Sequence, residues 1–151
     1  MRIAVCVLLT ALVAASGAVA AAVDTPAATK RVVREWSARL NAYDNVGIAQ
    51  LFARPATIVQ GGYRLRLAST ADIALWHRLL PCAGRIVSIS VKDDRATAVF
   101  LLANGKNRRC DAPGEQAAAV FRVRNGKIVT WTQVPVPRGP ASHLWQPATR
   151  K

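Results

Sequence analysis

Only a few side chains in this chain pair useful chemistry with a plausible setting. Of two histidines, His77 alone falls in a segment with a periodic apolar pattern. Histidine changes charge nearest to neutral pH, so His77 is the candidate general base or acid, though a histidine at the rim of an apolar stripe or bonded to backbone explains it better. The acid nearest to it is Asp72, three residues after Ser69, a spacing that closes a helix N-terminus and accounts for Asp72 without catalysis. Asp44 is likewise a helix cap first. Gln60 ends the apolar run "ATIVQ". Its amide can orient a ligand but cannot act as a base near neutral pH. Tyr43 and Tyr63 could lend a hydroxyl, though packing explains them better. Arg64 and Arg66 share one strand face and could clamp an anion, but a solvated face explains them better. The chain has no G-x-S-x-G elbow, phosphate-binding loop, H-E-x-x-H or dinucleotide fingerprint. No cofactor is expected. The Cys and His residues are too widely spaced for a metal site, and none is expected.

These side chains sit behind a leader. "MRIAVCVLLTALVAASGAVAAAVD" has one positive charge, an apolar run from Ile3 to Val13 and small residues after it. That is the pattern of a secretory signal peptide over 1–20, with cleavage near Ala20 and a periplasmic or secreted product. Two cysteines remain, Cys82 and Cys110, and an even count in an exported chain predicts one disulfide. The formal charge of the 151-residue chain is +13, and losing Arg2 lowers it by one. That charge suits an anionic surface or polymer. The basic residues are scattered, however, with no aromatic-interleaved run and no nucleic-acid motif.

The elements that must position the candidates follow in order. Residues 21–29 read as a loose leader. A helix from Thr29 to Ala42 carries the stripe Val33, Trp36, Leu40, Tyr43. Asp44 caps a second helix with Ile48, Leu51 and Phe52 inward, and Pro55 reads as its stop. "ATIVQ" is a strand turned by Gly61-Gly62, and "YRLRLA" a short second one. Ser69 opens a third helix that ends at Pro81, with Ile73, Trp76, His77 and Leu80 on one side. "RIVSISVK" follows, with Val87, Ile89 and Val91 on one face. Then come "RATAVFLLA", a polar loop, and "QAAAVFRVR" and "KIVTWTQV" joined by Asn125-Gly126. Residues 135–151 form a Pro-rich basic tail. Segregated helices and strands of this kind predict an α+β domain over 30–134. The expected shape is a cone: a curved mixed or antiparallel sheet with three helices from the N-terminal half packed over its concave face.

"VVREWSARLNAYDNVGIAQLFARPATIV", the helix opened near Ser69, and "AAVFRVRNGKIVTWTQV" resemble the nuclear transport factor 2-like superfamily. Within it they are most similar to the SnoaL-like and ketosteroid-isomerase branch. The resemblance implies the cone fold. It also implies where isomerase chemistry would sit: a carboxylate base, a tyrosine, and a protonated aspartic acid that together hold an enolate. In this chain those places hold Gln60, Trp36 and Ala119. An amide, an indole and a methyl group cannot run that reaction, so the resemblance predicts the shell of such a site without its isomerase machinery.

Three functions remain open. The first is an exported protein that binds a small apolar ligand in the cone, lined by Trp36, Ile58, Gln60, His77, Ala119, Phe121 and Trp131. The second is a dehydratase-, isomerase- or cyclase-type enzyme of the same superfamily using His77. The third is a protein-interaction module. Many members of the superfamily form a homodimer through the outer sheet face, where Arg122 and Arg124 fall here.

Overall fold

The computed structural model describes residues 24–138. The expected signal peptide, its cleavage site and the tail beyond Arg138 lie outside the described residues. The first helix, α1 (Pro26–Ala42), starts inside the segment read as a loose leader, three residues before Thr29. Thr25 is the cause: its hydroxyl accepts the Ala28 N–H at 3.2 Å. Pro26 then takes a position where a missing N–H costs nothing. Thr29, Val32, Val33, Trp36 and Ser37 are buried along α1. Tyr43 leaves the expected stripe and ends the helix in the left-handed conformation, with φ 62°.

Asp44 caps α2 (Asn45–Gln50), accepting the Gly47 N–H at 2.8 Å and Arg39 Nη1 at 2.9 Å. Pro55 does not stop this helix. The chain is already extended in β1 (Phe52–Gln60). Phe52 pairs with Ile128, and the Leu51 carbonyl accepts the Ile128 N–H at 2.8 Å, so tertiary pairing recruits the strand early. Pro55 falls where that ladder is interrupted, between Phe52 and Thr57, and there its missing N–H leaves no gap.

After β2 (Tyr63–Leu67) comes α3 (Thr70–Leu79), opened by the expected capping box of Ser69 and Asp72. β3 (Ala83–Lys92), β4 (Arg95–Ala103), β5 (Gln116–Arg124) and β6 (Lys127–Val134) complete a six-stranded sheet in the order β2-β1-β6-β5-β4-β3. Only β1 and β6 run parallel. The result is a mixed α+β domain with three helices over a curved, unclosed sheet. One row of its inner face runs Ile58, Trp131, Phe121, Ala96, Val91. On β3 the expected inward Val87 is instead 41% exposed. A bulge between Ile86 and Ser88 shifts the alternation, and Ile86 packs inward with Ile89 and Val91.

Cys82 and Cys110 are disulfide-bonded, with Cα atoms 4.4 Å apart. The bond ties the α3–β3 connection to the β4–β5 loop. Arg122 and Arg124 both reach Asp94 from the outer face, with nitrogens 2.6 and 3.3 Å from its Oδ2. These two arginines hold the Asp94 carboxyl below the usual carboxylate range, the Arg122 hydrogen bond being the largest cause. Among the described residues no helix is long and apolar enough to cross a membrane.

Candidate functional site

At one end of the inner face lies a cavity of about 390 Å³. The sheet supplies its floor: Gln60 from β1, Trp131 and Gln133 from β6, Ala117 to Ala119 from β5, and Phe100 and Leu102 from β4. Helix α1 adds Trp36 and Leu40. Leu80 to Gly84 form one lip, and Asp111, Ala112, Glu115 and Gln116 the other. The disulfide joins the two lips. Alanines at 117 and 119 leave space that larger side chains would fill. Gly84 lets β3 lie close to β4, since a Cβ there would meet the Leu101 carbonyl oxygen at 2.4 Å. Asn41 fixes α1 beside this point. Its amide donates to the Gly84 carbonyl and accepts the Gly84 N–H, both at 3.0 Å.

His77 is not in this cavity. It is 1% exposed, packed among the rings of Trp36, Phe52 and Trp76 at centroid distances of 6.1, 5.1 and 4.6 Å. The Trp36 indole N–H donates to Nε2 at 2.9 Å, and Nδ1 lies 2.8 Å from the Ile73 carbonyl. This network assigns the neutral tautomer with the proton on Nδ1. Burial pushes the imidazole pKa down to about 4, against a smaller upward pull from the Ile73 carbonyl. Both ring nitrogens are committed, so His77 has neither a free lone pair nor a free proton for a molecule in the cavity. The same bond commits the Trp36 indole N–H, which is therefore not free for a molecule in the cavity.

The seven residues expected to line a ligand site therefore divide. Trp36, Gln60, Ala119 and Trp131 meet in the cavity. Ile58, Phe121 and His77 are buried to 0%, 0% and 1% in the packed core below it. The places that the resemblance ties to isomerase chemistry do converge, but on an indole with a committed N–H, an amide and a methyl group. Trp131 is 6% exposed, and its indole N–H is buried without a hydrogen-bond partner. Sequence reasoning missed both lips, Leu40, Leu102 and Gln133. The expected disulfide was the available signal for the lips, because residues flanking two bonded cysteines must lie close together.

Cys82, Cys110 and Asp111 cluster within 4.8 Å. With both sulfurs in a disulfide, neither can supply the thiolate a metal requires. Asp111 Oδ1 lies 3.1 Å from Cys82 Sγ. A disulfide sulfur carries no proton, so this is a contact and not a hydrogen bond. Among the described residues the outer face of the sheet mixes apolar and polar side chains. Its central row is Val59, Thr132, Val120, Thr97 and Ser90.

No protein-family model matches the chain, and no curated protein does. Solved structures do. A candidate ketosteroid isomerase from Kribbella flavida superposes with a TM-score of 0.60 at 17% identity, covering 85% of this chain and 95% of that one. A SnoaL-like protein of unknown function from Burkholderia thailandensis gives 0.56 at 20% identity, covering 73% and 96%. An NTF2-like protein of unknown function from Cytophaga hutchinsonii gives 0.56 at 10% identity, covering 70% and 88%. At these identities the likeness is one of fold. The chain has the nuclear transport factor 2-like, SnoaL-like cone.

Proposed function

We propose that this chain is an exported protein that binds a small, mostly apolar molecule in the cavity between Trp36, Gln60, Ala119 and Trp131, without isomerase chemistry. The observation that carries the reading is the cavity itself: about 390 Å³, walled by aromatic and aliphatic side chains, with a few amides for orientation. That make-up is usual for a small-molecule site. Export is supported by the signal-peptide pattern over 1–20 and by the disulfide, which suits an oxidising compartment.

The test uses Nile red, a neutral apolar dye, with the mature protein. Its emission should rise and shift to the blue. Ala119→Trp should abolish that change while the unfolding midpoint holds. Ala117→Trp fills the same space from a half-buried position and serves as a second variant. Dye binding that survives in both folded variants would place the apolar site elsewhere and sink the reading.

A further inference from the structure

We propose that the cavity selects an amphipathic organic cation: an apolar body carrying a protonated amine or quaternary ammonium group. The proposal rests on the ligand-binding reading above and names its ligand class.

The placement of the acids points this way. The chain has 8 Asp and Glu against 21 Lys and Arg. Most of the acids have structural work. Glu35 and Asp44 hold Arg39, and Asp94 holds Arg122 and Arg124. Asp72 closes the capping box, and Asp24 accepts the Gly126 N–H at 2.8 Å. Asp93 occupies the left-handed position of the β3–β4 turn, with φ 54°. The remaining two are Asp111 and Glu115. Neither carboxylate makes an ion pair or accepts an N–H or O–H from another described residue, and both residues stand on one lip of the cavity.

No Lys or Arg lines the cavity among the described residues. Arg108 does not line the cavity but stands beside it, its guanidinium donating to the carbonyl of the lip residue Leu80 and lying 6.0 Å from the centroid of the Tyr43 ring. In a chain this basic, two charged lining positions that are both acidic, and whose carboxylates have no cationic partner among the described residues, go against composition.

A second observation concerns the body of the ligand. Trp131 lines the cavity, is 6% exposed, and has a buried indole N–H that no described residue accepts. The rings of Trp36, Phe100 and Trp131 add π surface that attracts a cation. The +13 field of the whole chain repels cations. A preference for a cation must therefore come from the cavity, and nonspecific binding would favour the anion instead.

The experiment is calorimetric titration of the mature, disulfide-bonded protein at low salt. The probes share one ring and differ in charge: 1-naphthylmethylamine, 1-naphthalenemethanol and 1-naphthoate. The amine should bind roughly five- to tenfold tighter than the alcohol, a scale set by exposed carboxylates plus cation–π contact. The naphthoate should be weakest. The amine-to-alcohol ratio should shrink in 0.5 M salt, because the lip is solvent-exposed. It should also shrink to within about twofold in the Asp111→Asn, Glu115→Gln double variant. Equal affinity for all three probes, or preference for naphthoate, overturns the charge inference and leaves the ligand-binding reading standing. Failure of all three to bind, with Nile red also failing, overturns both.

Discussion

Acidification should weaken this fold through one buried imidazole. His77 is held neutral, with a pKa near 4 against an ordinary value of 6.5. The unfolded chain thus binds a proton that the folded chain refuses between those values. Its stabilisation is complete above about pH 6.5 and is lost as pH falls toward 4. With those two pKa values, the loss is about 2 kcal/mol between pH 7.5 and 5.0 and about 3 kcal/mol by pH 4. The cage around His77 gives no relief, since its ring neighbours Trp36, Phe52 and Trp76 carry no charge. Asp72 and Asp94 have lowered pKa values through hydrogen bonds to Ser69 and to Arg122, so their contributions fade only at still lower pH.

Urea unfolding followed by circular dichroism at pH 7.5 and 5.0 measures this. At a slope of about 1.5 kcal/mol/M the midpoint should drop by roughly 1.3 M. His77→Phe should be less stable at pH 7.5, because the Trp36 N–H loses its acceptor, and its midpoint should barely move between the two pH values. A wild-type midpoint that is flat over this range, or a His77 imidazole that titrates near 6.5 by NMR, would refute the reasoning.

Two further outcomes follow from the lips of the cavity. Replacing Cys82 and Cys110 by Ala opens a 28-residue span and should cost about 3.5 kcal/mol in the chain-entropy model, read as a urea midpoint lower by about 2 M. A loss below about 1 kcal/mol would mean that the loop is held by packing alone. Asn41→Leu strips the Gly84 N–H of its partner and the Gly84 carbonyl of its 3.0 Å bond, leaving Ser37 Oγ at 3.4 Å. It should cost about 1–3 kcal/mol by thermal or urea unfolding, and a neutral result would show that water replaces the amide.

The fold was legible because its signals are local. Ser69 with Asp72, Asp44 before a short apolar helix, and Asn125-Gly126 between two alternating strands each name a boundary without reference to distant chain. The errors arose where distant chain decided. Pro55 reads as a helix stop until Ile128 is known to pair across from Phe52. Val87 reads as inward until the bulge against β4 turns it out. Thr25-Pro26 was a local start signal, hidden by the small residues that follow the leader.

The site was legible only in part, for a reason of the same kind. Strand alternation puts Gln60 and Ala119 on the inner face but cannot say how deep the packing rises. Ile58 and Phe121 share that face and lie below the empty space, fully enclosed. His77 was read correctly as facing inward. Its bond to backbone is the structural role weighed above a catalytic one; what sequence does not reveal is that a tryptophan N–H occupies the other ring nitrogen. That pairing changes the functional argument. A histidine at the cavity wall would have favoured acid–base chemistry. On the proposed ligand-binding reading, a histidine spent on orienting Trp36 leaves recognition to Gln60, Gln133, Trp131 and the two lip acids, Asp111 and Glu115.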